Sequence, residues 1–149
     1  MEVHYYNVDV NWNTERKGVI CSPELNQEKG TCIEVATPPE FPKGIPGIWS
    51  PEHLFTAAVS SCLMTTFLSI AENFKLAFVS FSCKSKGKLE QIDGKFMMSE
   101  IILEPTVTIA DEKDRERAER VLQKSEAACL ISNSVKSKVT MIPTIIISN

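Results

Sequence analysis

Long basic runs, closely spaced cysteines, histidines and glycine-rich loops are all missing or scarce in this 149-residue chain. Its 16 Lys and Arg are scattered and its formal net charge is -3, which argues against nucleic acid as the main partner, because phosphate binding wants a basic surface. Only His4 and His53 are available for imidazole ligation, and the five cysteines (21, 32, 62, 83 and 129) form no zinc spacing. Their odd number also fits no secreted disulfide framework, so the thiols are expected to be reduced at rest, apart from any that do redox work. No glycine loop cradles a phosphate and no Ser/His/Asp nucleophile motif is present. The start, "MEVHYYNVDV", lacks the basic-then-apolar pattern of a secretory signal, so the cytoplasm is the expected compartment.

What the chain does have is "SPEHLFTAAVSSCLMTTFLSIAENF", Ser50 to Phe74, nearly uncharged and with Cys62 at its middle. Residues 54–71 carry no charge and reach about the minimum length of a membrane span. Six of them are Ser or Thr, and no second span or basic flank accompanies them. The expectation is a helix buried in a globular core, with no membrane partner. Ser50 is a favoured N-cap, Pro51 suits the first helical position, and Glu52 complements the helix dipole.

Around this helix the chain reads as one domain over 1–149. Alternation at Val8, Val10 and Trp12 predicts a half-buried strand, and two more follow in "VICS" and "TCIEVAT", giving an antiparallel meander over 1–37. Residues 38–47, "PPEFPKGIPG", hold four prolines and two glycines and predict an extended loop over 38–49. The central helix should span 50–73, strands 76–110 with a bend at Pro105, a second helix 111–131, and a final strand 137–147 at whose Pro143 an edge or bulge is expected. The second helix carries Ala118, Val121, Leu122, Ala128 and Cys129 on one stripe and charges opposite. The architecture is therefore α+β. A helix apolar nearly all round needs more cover than one sheet face and one helix supply, which favours a homodimer.

A free cysteine is usually a small buried hydrophobe, and Cys83, Cys21 and Cys32 are read that way or carry no activating pattern. Cys62 sits among small or hydroxylated neighbours, and Cys129 ends the amphipathic stripe of the second helix, where two elements meet. On the residues alone, both remain compatible with simple packing.

The two cysteine segments nevertheless have a wider likeness. "SPEHLFTAAVSSC", followed 67 residues later by a helix ending in "EAACLISNSVKSKV", resembles the OsmC/Ohr family of thiol-dependent hydroperoxide reductases. The resemblance covers essentially the whole chain and implies an OsmC-like fold, with antiparallel sheets around a long central helix in an intertwined homodimer. It implies that Cys62 is the peroxidatic thiol, which reduces an organic hydroperoxide to an alcohol and becomes a sulfenic acid. Cys129 would resolve it to a disulfide, and an external dithiol, such as a lipoylated protein, would reset the pair without metal or organic cofactor. Only the thiolate is nucleophilic, and a resolving thiol protects the sulfenic acid from overoxidation.

An ordinary cysteine is about 3% thiolate at neutral pH, and a fixed cation is the obvious way to raise that. Arg16, in the first hairpin, matches one family position for the activating arginine; Lys17 and Lys43 are the fallbacks. Glu52 corresponds to the glutamate that orients this arginine. It stands ten residues from Cys62 on one helix, about 15 Å of rise, so a shared site would require the partner's Glu52. Two departures stand out: Leu130 replaces the usual proline after the second cysteine, and "NTERKG" replaces a glycine-rich arginine motif. They favour the rival expectation, a non-catalytic dimer that binds a small apolar ligand or senses oxidants.

Overall fold

Alternation and tight turns build the first of two units, Met1–Leu54, in the computed structural model, which describes the backbone of residues 1–149 and all side chains except that of Gln27. Strands β1 (Asp9–Thr14), β2 (Lys17–Cys21) and β3 (Ile33–Ala36) pair antiparallel in the order β1-β2-β3. Glu15 makes the first reversal at a positive φ of 48°. A Cβ on Gly18 would overlap the Asn11 carbonyl oxygen of β1, so only glycine fits there. β1 begins later than the alternation suggested, and it is exposed along its whole length. Val10 and Trp12, expected to be half-buried, are 68% and 77% exposed, because β1 is an edge strand of this sheet.

The β2–β3 ladder pairs Lys17 with Ala36 and ends with Ile20 opposite Ile33. One step further, Cys21 faces Cys32 with their Cα atoms 4.5 Å apart, and the two sulfurs are bonded. This corrects the expectation that both thiols are reduced. Antiparallel register sets the two side chains directly opposite at the closest cross-strand spacing, which lies within disulfide reach.

The proline-rich segment folds as successive turns, with Ile45 N–H donating to the Thr37 carbonyl at 2.9 Å. It brings Trp49 back to β3, where the Trp49 carbonyl accepts from Ala36 N–H at 2.9 Å. Buried Ser50 then caps the long helix α1 (Pro51–Asn73), its Oγ accepting from His53 N–H at 3.2 Å.

The second unit, Phe55–Asn149, holds most of α1, strands β4 (Ser80–Ile92) and β5 (Lys95–Ile109), helix α2 (Arg115–Ala128), and strands β6 (Lys138–Met141) and β7 (Thr144–Ile147). α1 buries Val59, Cys62, Leu63, Phe67 and Ala71, a stripe stepping by three or four residues. Val59 and Leu63 pack with Ile101 and Leu103 of β5, and Phe67 and Ala71 with Val107, Ile109 and α2's Ala118, Val121 and Leu122. Met64 and Leu68 remain 40% and 44% exposed, so one chain covers one stripe of this helix and leaves other apolar positions open. By length and composition alone α1 would also suffice to cross a membrane.

β4 and β5 form a long antiparallel hairpin turned at Asp93 and Gly94, both at positive φ. β6 and β7 pair parallel to β5 on its other side, so the second sheet is mixed. The expected final strand is broken at Ile142–Pro143, and this break falls opposite Glu104 and Pro105, which neither β6 nor β7 pairs. β5 itself runs unbroken through Pro105. Asp111 caps a 3-10 turn, Glu112–Asp114, that leads into α2.

Candidate active site

Cys62 belongs to the buried stripe of α1, and its Sγ lies 3.9 Å from Thr66 Oγ1 one turn later. Cys129 is the C-cap of α2, fully buried, where the backbone leaves the helix with φ -65° and ψ 108°. The chain then tightens into a 3-10 turn, Ser132–Ser134, with Asn133 N–H donating to the Cys129 carbonyl and Ser134 Oγ to the Leu130 carbonyl. This turn leaves the Cys129 thiol near enough to Cys62 for each to affect the other's protonation, and both sulfurs are free.

Burial works against charge at Cys62, yet its thiol is held below the ordinary range. The opposing influences are hydrogen bonds from Ile131 N–H, the Cys129 thiol, the Thr66 hydroxyl and Leu130 N–H. Cys129 moves the other way: burial pushes its thiol up, and the neighbouring negative charge of Cys62 adds to that. Ser132 opposes this through its hydroxyl and its backbone N–H. Two like groups are thus driven apart by their surroundings, one toward thiolate and one toward thiol.

No cation is among the influences on Cys62. The backbone donors of Leu130 and Ile131 were missed in the sequence. A helix stop after Cys129 was legible, but amide directions depend on how the following turn closes. Leu130 has a further consequence here, since a proline would have no N–H to offer Cys62.

Arg16 and Glu52 both line a cavity of about 650 Å³ within Met1–Leu54. Arg16 occupies the β1–β2 turn, and its carbonyl accepts from Thr37 N–H at 3.1 Å. Trp12, Val35, Ala36 and Phe41 give this cavity an apolar character. Lys17 also lines it but is paired with Glu34 at 3.0 Å, and Lys43 lies outside the lining, on an exposed turn at φ 63°. Of the three cations weighed, Arg16 is the one that shares the cavity with Glu52 and has no acidic side chain within ion-pair distance among the described residues. Cys83 is half-buried and packs against the Val59–Leu63 cluster, as expected of a core thiol. Among the described residues no group of three His, Cys, Asp or Glu could hold a metal ion.

The profile of the OsmC-like protein family matches residues 44–143, which include both free thiols of this site. The chain belongs to the OsmC-like family. Its relatives include the uncharacterized protein YmaD of Bacillus subtilis, 24% identical over 144 residues that make up 95% of this chain and 93% of that protein. An OsmC-like protein of unknown function from Vibrio cholerae superposes with a TM-score of 0.82 at 23% identity, covering 95% of this chain and 99% of its own. An organic hydroperoxide resistance protein from Elizabethkingia anophelis does so with a TM-score of 0.74 at 19% identity, covering 99% of each chain. At these identities the superpositions establish an α+β OsmC-like fold, with a long central helix. The OsmC-like architecture thus accommodates both proteins of unknown role and proteins named for hydroperoxide resistance.

Proposed function

We infer that this OsmC-like protein reduces organic hydroperoxides to alcohols through Cys62 and Cys129. The carrying observation is the contact between a thiol held toward its anion and a second thiol held toward its neutral form. The Cys62 thiolate attacks the distal peroxide oxygen, the O–O bond breaks, and the leaving alkoxide takes a proton to give the alcohol. Cys62 is left as a sulfenic acid. The Cys129 sulfur then attacks Cys62, its proton and the sulfenic hydroxyl leave as water, and a disulfide forms. Two electrons have passed from the thiols to the peroxide. An external dithiol returns them by exchange, ending as its own cyclic disulfide.

Ile131 and Leu130 N–H do for the attacking sulfur what a fixed dipole does for any developing anion, and they need no reorganisation when charge appears. Arg16 and Glu52 are proposed to act from a second copy, the guanidinium adding to the stabilisation of the thiolate and the carboxylate aiming it. The exposed apolar residues Val10 and Trp12 of β1 and Met64 and Leu68 of α1 support such a homodimer, since each is a large apolar group left in water by the single chain. The cytoplasm, where dithiols are replenished, is the proposed compartment.

The apolar cavity beside Arg16 favours a second reading, a non-catalytic dimer that holds a small apolar ligand. Peroxide consumption driven by a dithiol separates the two. Native protein should turn over an alkyl hydroperoxide. Cys62→Ser should fall below about one-thousandth of that rate, and Cys129→Ser should complete one oxidation and then stall. Equal rates in native protein and Cys62→Ser, or no turnover by the native chain, would leave the ligand-binding reading in possession.

A further inference from the structure

The mechanism above uses two of the five cysteines and leaves the bonded pair Cys21–Cys32 without a task. We propose that Cys21–Cys32 is a reversible redox site, opened by dithiols and closed by hydroperoxides, whose state sets how firmly the β2–β3 hairpin holds the cavity wall that carries Arg16.

Its position in the hairpin is the first support. Residues of β2 and β3 pair so that their numbers add to a constant, from Lys17 with Ala36 to Ile20 with Ile33. Cys21 with Cys32 continues that series at one end, and the Arg16 carbonyl with Thr37 N–H continues it at the other. The disulfide and the anchor of Arg16 are therefore the two ends of one short ladder. Gly18, Val35 and Ala36 of this ladder form part of the cavity wall. A ladder of four paired residues in a sheet with little core is marginal without further support. Closing residues 21–32 covalently removes the freedom of that loop and prevents fraying from the open end.

Access is the second support. Both sulfur-bearing residues are half-buried rather than enclosed, and they stand at the end of the β2–β3 ladder, at the mouth of the loop. A dithiol can thus attack one sulfur, forming a mixed disulfide, and its second thiol then expels the protein sulfur. Cys21 and Cys32 leave as thiols with two electrons and two protons, and the dithiol becomes a disulfide. For closure one thiolate attacks a hydroperoxide, releasing alcohol and leaving a sulfenic acid; the other cysteine displaces water to restore the bond.

The loop that the disulfide closes also tethers the first residues of the chain. Glu24 accepts from Asn7 N–H at 3.0 Å and from its side chain at 2.8 Å, and from the Ser22 hydroxyl at 2.7 Å. These bonds hold the Glu24 carboxyl below its usual range, the Ser22 bond contributing most. Opening the pair would loosen this clasp together with the ladder.

The test uses full-length Cys62→Ser/Cys129→Ser, so that its outcome is separate from peroxidase activity. The protein is equilibrated in dithiothreitol buffers of graded reduced-to-oxidised ratio, quenched in acid, alkylated and mapped by mass. Amide exchange is followed over residues 17–36. The expected result is a two-electron transition of the 21/32 pair while the second unit stays folded, with exchange over 17–36 at least about tenfold faster in the reduced form. Cys21→Ala/Cys32→Ala should show the fast exchange at every ratio; if that variant does not fold, the reduced chain itself supplies the comparison. A pair that stays bonded until the whole chain unfolds would make it a permanent staple and overturn the proposal. Thiols that remain free in the most oxidising buffer, or reduction that leaves exchange over 17–36 unchanged, would overturn it equally.

Discussion

The two units treat sulfur in opposite ways. In Met1–Leu54 the buried residues among those described are Gly18, Ser22, Ala36, Pro38 and Ser50, and both cysteines are spent on a covalent link. In Phe55–Asn149 two apolar clusters built on Phe67, Leu63 and their neighbours accompany three free thiols. A sheet with almost no apolar interior gains from a chemical tie, because burial alone supplies little to offset the entropy of ordering it. A well-packed unit needs no tie, and can instead hold two sulfurs in contact without joining them. The same element stabilises in one place and is kept available for chemistry in the other.

The contrast is broken most severely by opening the second unit's core. Phe67→Ala removes a fully buried ring that meets Phe78 and Phe81, and should cost about 3–5 kcal/mol in denaturant unfolding. A loss under about 1 kcal/mol would mean that the clusters do not carry this unit.

Leu130→Pro comes next and acts on reactivity. The preceding Cys129 is already extended, the conformation that a following proline favours. Cys62 would lose one N–H donor, and a hydrogen bond to a charged group is worth about 1.5–3 kcal/mol. Alkylation of Cys62 near neutral pH should slow by about tenfold or more, whereas Leu130→Ala, which keeps the N–H, should leave it unchanged. The pH profile carries the sign. Cys62 is depressed, so its reactivity should rise as pH climbs through a midpoint below that of an ordinary thiol, while Cys129, raised, should respond only above it. Reversed midpoints would exchange the roles of the two sulfurs.

Removing the helix cap is gentler. Ser50→Ala deletes the acceptor for His53 N–H and should cost about 0.5–2 kcal/mol. Smallest of all, Val10→Thr on exposed β1 should shift the stability of a single chain by less than about 0.5 kcal/mol. A larger loss that depends on protein concentration would instead reveal a second copy seated on that strand.

Much of this was legible in the residues. The cap at Ser50, the long apolar helix and the amphipathic stripe of α2 follow from local patterns, because capping and helical periodicity act within one turn or two, although α2 spans Arg115–Ala128 rather than 111–131. The meander was legible too, although β1 starts at Asp9 and is more exposed than its alternation implied. The break at Pro143 was anticipated, but its place opposite Pro105 and the parallel direction of β6 and β7 were not. Strand direction is decided by what lies between the partners, here α2, and no local signal carries it.

For the site the division is sharper. Cys62 and Cys129 could be singled out as candidates, yet what separates their protonation is burial at Cys129, opposed at Cys62 by the backbone N–H groups of Ile131 and Leu130. Every residue except proline has such an N–H, so its presence says little until the turn after α2 is closed.

Residue order alone therefore determined which elements form, where α1 is capped, and that Cys62 lies within α1 while Cys129 ends the stripe of α2, since these depend on neighbours a few residues apart. Only the folded chain decided that Cys21 meets Cys32 and that, within one chain, backbone amides and hydroxyl and thiol groups act on Cys62. Those outcomes depend on register and on backbone direction between segments distant in sequence, and such long-range geometry is set when the sheet and helices pack.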